Sequence, residues 1–167
     1  MDALLIVISF LLVPVLTVGF LGIVEQRRKH AVKSILGKAL GQLAKENELF
    51  IADVEFFRSK VIGIDRENKK LVYANYRKNA IDQFCIDLNS VAYCRVNRII
   101  DKSSHSVKEI FIEVKRKDQI FRLNFYDRSF DNIRAKALLL KKAEQWKDKI
   151  NLHRRSANFK KRLEYVL

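Results

Sequence analysis

Val61-Ile62-Gly63-Ile64-Asp65, then Arg66-Glu67-Asn68-Lys69, then Lys70-Leu71-Val72-Tyr73-Ala74-Asn75-Tyr76: two short runs rich in β-branched and aromatic residues flank a polar break of hairpin length. The same period of two continues downstream. Phe84, Ile86 and Leu88 alternate with Cys85 and Asp87, and Asn89-Ser90 supplies a turn. Ala92, Cys94 and Val96 take one phase while Tyr93, Arg95 and Asn97 take the other, as a half-buried strand requires. Ile110, Ile112 and Val114 alternate with Phe111 and Glu113. Arg116-Lys117-Asp118-Gln119 then turns the chain into Ile120 to Phe125, where Phe121, Leu123 and Phe125 point inward. Six strands are countable, and Leu49 to Phe57 offers a seventh. No connection is long enough for a crossover helix, so the expected sheet is an antiparallel meander.

Helical periodicity brackets this meander. On its carboxyl side Ile133, Ala137, Leu140, Ala143, Trp146 and Ile150 mark one face, with Ser129 as the expected N-cap and Asp131 in the first turn. Such a helix would cover the sheet or plug one end of a barrel. On the amino side Val32, Ile35, Leu36, Ala39, Leu40 and Leu43 recur at three-and-four spacing among Lys33, Lys38, Gln42 and Lys45. That helix could lie among headgroups, continue a stalk or pack on the domain. Ahead of it, Ala3 to Val24 carries no charged side chain, and Arg27, Arg28 and Lys29 follow soon after. As a helix this run would reach about 33 Å, enough to span a bilayer, and the basic flank would leave the body cytoplasmic. A cleaved signal peptide would need a basic start and a shorter apolar stretch, and neither is present.

The expected organisation is α+β in four segments: a transmembrane anchor (1–24), a basic juxtamembrane helix (25–46), a sheet domain (47–150) and a basic tail (151–167). The whole chain of 167 residues carries a formal charge of +14. Anionic lipid headgroups attract such a surface at ~1 kcal/mol per well-placed basic residue. An acidic partner protein would answer the same charge. Nucleic acid would too, but no supporting motif accompanies it. Candidate contact residues are Arg27, Arg28, Lys29 and Lys33 before the sheet, Arg66, Lys69 and Lys70 in the hairpin, and Arg154 and Arg155 in the tail.

Catalytic chemistry finds little to work with. His30, His105 and His153 are dispersed, and none has a partner at metal-ligand or general-base spacing. Cys85 and Cys94 are too few for a disulfide framework or a zinc knuckle and read as strand residues. No Gly-rich phosphate loop or nucleophile motif is present. The chain therefore reads as a non-enzyme with no cofactor and no metal.

Lys69-Lys70-Leu71-Val72-Tyr73, Cys85-Ile86-Asp87-Leu88-Asn89-Ser90-Val91, and Ile120 to Phe125 followed by a helix containing Trp146 resemble the pleckstrin-homology-like superfamily. The resemblance covers about Val61 to Ile150 and implies a strongly bent, seven-stranded barrel closed by a C-terminal helix. Its phosphoinositide-binding members use a basic cluster at the first hairpin, to which Arg58, Lys60, Arg66, Lys69 and Lys70 are loosely similar. The expected function is a single-pass, membrane-anchored binding or scaffold module contacting anionic lipid or an acidic protein. Its alternatives are a structural subunit of an envelope or secretion assembly and membrane-associated nucleic-acid binding.

Overall fold

The structure, a computed structural model, describes the backbone of residues 26–117 and 119–164, with side chains as far as residue 154. Helix α1 (26–46) comes first. Strands β1 (Asp53–Phe57), β2 (Lys60–Asp65), β3 (Lys70–Arg77) and β4 (Ala80–Asp87) form one antiparallel sheet in sequence order. Strands β5 (Val91–Ile100), β6 (Val107–Arg116) and β7 (Gln119–Asp127) form a second, and helix α2 (Lys136–Glu164) closes the fold.

The alternation of residue types decides which face goes where. From the first sheet, Ile62, Ile64, Leu71, Tyr73 and Ile86 point into the main core. There they meet Ile110, Ile112, Val114, Leu123 and Phe125 of the second sheet and Ala143, Trp146 and Ile150 of α2. The other phase of the first sheet is apolar as well: Val61, Val72 and Ala74 lie beneath Leu36, Ala39, Leu40 and Leu43 of α1. Strand β2 is consequently buried on both faces. Gly63 sits at the tightest point, where a Cβ would come within 2.7 Å of the Ile51 side chain. Burying one leucine of α1 contributes about 1.5–3 kcal/mol, so four apolar positions hold this helix against the sheet firmly.

Trp146, 1% exposed, fixes α2 to the first strand. Its Nε1 donates to Glu55 Oε2 at 2.6 Å, and Lys142 Nζ lies 2.6 Å from the other carboxylate oxygen. Burial pulls the Glu55 carboxyl up, but these two donors outweigh it and leave the group below its ordinary value.

Several expectations are corrected. No helix among the described residues is long and apolar enough to cross a membrane, so the transmembrane helix of the expected fold class is not among the described elements; residues 3–24, on which it rested, lie outside the described residues. Of the three placements left open for the basic amphipathic helix, packing on the domain is the one observed: its apolar face covers Val61, Val72 and Ala74, which would otherwise face water. The single meander is two sheets, broken where a 3-10 turn at Leu88–Ser90 separates β4 from β5. Asn132, not Ser129, caps the approach to α2, accepting from the Arg134 amide at 2.9 Å ahead of a 3-10 turn. Ile133 and Ala137 are exposed, and Leu139 joins the core face instead. The backbone of α2 continues through residues set apart as a tail, as far as Glu164.

Candidate anion-binding site

Antiparallel pairing sends alternate turns to opposite ends of a sheet, and here it collects one kind of side chain. The β1–β2 turn at Arg58 and Ser59, the β3–β4 turn at Lys78 and Asn79, and the segment after β7 all lie at one end. The first turns of α1 reach the same end and close its side. Between them is a cavity of about 690 Å³. Arg28, Lys29, Arg58, Lys60, Arg77 and Lys78 line it, together with Val32, Tyr76 and Phe130, and among the described residues Asp127 is the one carboxylate in its wall.

Each cation is placed by its element. Lys60 opens β2 in the inward phase and is 4% exposed; its Nζ donates to the Phe125 carbonyl at 3.1 Å and to Asp131 Oδ2 at 3.0 Å. Burial pushes the Lys60 amine below its ordinary value, against the pull of Asp131 and Asp127. Arg77 ends β3, pairs with Asp127 and lies over the Phe130 ring, 4.2 Å from its centroid. Arg58 donates to the Phe130 carbonyl at 3.1 Å. Lys78 and Asn79 form the two-residue turn between Arg77 and Ala80 with φ of 50° and 61°. Turns of that shape favour Asn-Gly, and a lysine in this conformation costs roughly 1 kcal/mol. Asn124 also lines the cavity, and its side-chain oxygen is buried without a hydrogen-bond partner among the described residues.

The residues named from sequence divide between the two ends. Arg28 and Lys29 line the cavity; Arg27 is exposed beside them, and Lys33 lies over the Phe56 ring at 5.4 Å. Arg66 and Lys69 of the β2–β3 turn, and Lys70, which opens β3, lie at the opposite end, about 20 Å away at strand rise. There Arg66 is held by both oxygens of Asp53, at 2.9 and 3.0 Å. Arg154 donates to the Ala92 carbonyl, and the side chain of Arg155 lies outside the described residues. Arg77 and Lys78 were absent from the sequence-derived set, and Arg58 and Lys60 entered it only through the family resemblance. Once β1 counts as a strand, the first hairpin turn moves from Arg66–Lys69 to Arg58-Ser59. The three-residue polar step Arg58-Ser59-Lys60 between Phe57 and Val61 was the available signal.

Among the described residues no group of three or more His, Cys, Asp or Glu is placed to hold a metal ion. Comparison with family models, with curated protein sequences and with solved structures returns no match for this chain.

Proposed function

We propose that this protein is a binding module of pleckstrin-homology-like build, working on the cytoplasmic side of a membrane, whose basic cavity holds the anionic headgroup of a lipid. One observation carries the reading: among the described residues six cationic side chains line a cavity whose wall contains a single carboxylate, and Arg77 already engages it. An anion entering there meets charge-assisted donors in a partly dehydrated setting, where each is stronger than on an open surface. It would also ease the cost of keeping Lys60 charged. The Asn124 amide adds a polar group for a headgroup hydroxyl. The four-plus-three strand arrangement closed by a helix with a buried tryptophan supports the family part of the proposal.

Calorimetric titration of the full chain in neutral detergent with pyrophosphate tests the cavity. Saturable binding that weakens with salt is expected, and Arg58→Glu should weaken it by about tenfold, equivalent to ~1.4 kcal/mol. Binding unchanged in Arg58→Glu would refute the site.

A further inference from the structure

The stretch from Arg128 into the first turn of α2 carries exposed apolar side chains that the core does not explain. Phe130 is 43% exposed, Ile133 62% and Leu138 59%, and the side chains among them include Arg128, Arg134 and Lys136. Large apolar side chains this exposed, on one short segment and rimmed by cations, mark a surface with an apolar partner. The segment is not loose. Asp131 accepts from the Asp127 amide at 2.9 Å and from Lys60, while Arg58 and Arg77 hold Phe130 from the first sheet. Its apolar groups are therefore presented on a fixed support beside the cavity mouth.

We infer that this segment is a membrane wedge: the cavity end docks on an anionic bilayer with Phe130, Ile133 and Leu138 entering the interface. Two features select a bilayer over a protein groove. The cations around the wedge match an anionic headgroup layer, which takes scattered positive charge without requiring a shaped partner. The chain also enters the domain at this end. Arg28 and Lys29, at the start of α1, line the same cavity as Phe130, and the uncharged stretch Ala3 to Val24 lies immediately before them in sequence. The described chain thus begins on the side that carries the wedge. The inference rests on the lipid reading of the cavity and extends it to Ile133 and Leu138, which do not line the cavity.

The test uses the full chain reconstituted in vesicles of phosphatidylcholine and phosphatidylglycerol, with and without bromine on the acyl chains. Ile133→Trp is compared with Asn68→Trp, at the opposite end of the first sheet, over the common background of buried Trp146. A wedge seated about 5–10 Å deep predicts that bromolipid removes most of the emission added by Ile133→Trp and little of that added by Asn68→Trp. Equal quenching at both positions, or none at Ile133→Trp, overturns the wedge; the latter is the result expected if a protein covers this surface. Pyrophosphate titration separates this failure from failure of the cavity reading. Ile133→Ser/Leu138→Ser, neither of which lines the cavity, should bind pyrophosphate within twofold of the parent chain, whereas a parent chain that binds none removes the headgroup site and the wedge's premise with it.

Discussion

Lys78 shows how much of the candidate site is bought with local strain. Both residues of its two-residue turn have positive φ, a conformation in which glycine is comfortable and lysine is not. Lys78→Gly should therefore raise stability by about 1 kcal/mol in denaturant titration while weakening pyrophosphate binding, a split that a purely structural turn would not produce. Cys94 gives a second residue-scale expectation. Burial pushes its thiol up to about 12, so maleimide should modify it in the native chain far more slowly than in the denatured chain at pH 8. Equal rates would place Cys94 at the surface.

At the scale of elements, α1 is the piece whose role the sequence left open. Its spacing announced an amphipathic helix but not the surface its apolar face would meet. Leu36, fully buried against the first sheet, supplies the check: Leu36→Ala should cost about 2–5 kcal/mol in chemical denaturation. A helix lying among headgroups would leave that midpoint unmoved. Strands β2, β3, β6 and β7 were legible because polar turns bound short runs rich in β-branched and aromatic residues. Strand β1 was less so, since Val54 and Phe56 place apolar side chains on its exposed phase and blur the alternation. The start of α2 was misplaced because Asp131, expected in the first turn of the helix, is spent on Lys60 and the Asp127 amide. The cavity was illegible for a related reason. Arg28, Arg58 and Lys78 are far apart in sequence, and only the pairing of β1 through β4 and the docking of α1 bring them together.

For the molecule as a whole, stability should fall in acid through identifiable carboxylates. Burial raises the Asp65 carboxyl, but donation from the Asn68 amide and side chain and from the Phe50 amide outweighs it, leaving the group below its ordinary value. A group depressed in the folded state stabilises above its unfolded value and loses that contribution as pH falls through the folded one. Stability should thus hold above about pH 4 and decline below it, and Asp65→Asn should flatten that decline when denaturation midpoints are compared between pH 5 and pH 2. The packing of α1 on the outer face of the first sheet has a mechanical consequence. A tension applied where the chain enters at residue 26 does not pass into a slack linker. It loads the seam between α1 and strands β2 and β3 in shear, so the cavity would follow the entry point as part of one stiff body, at a height and tilt set by leucine packing.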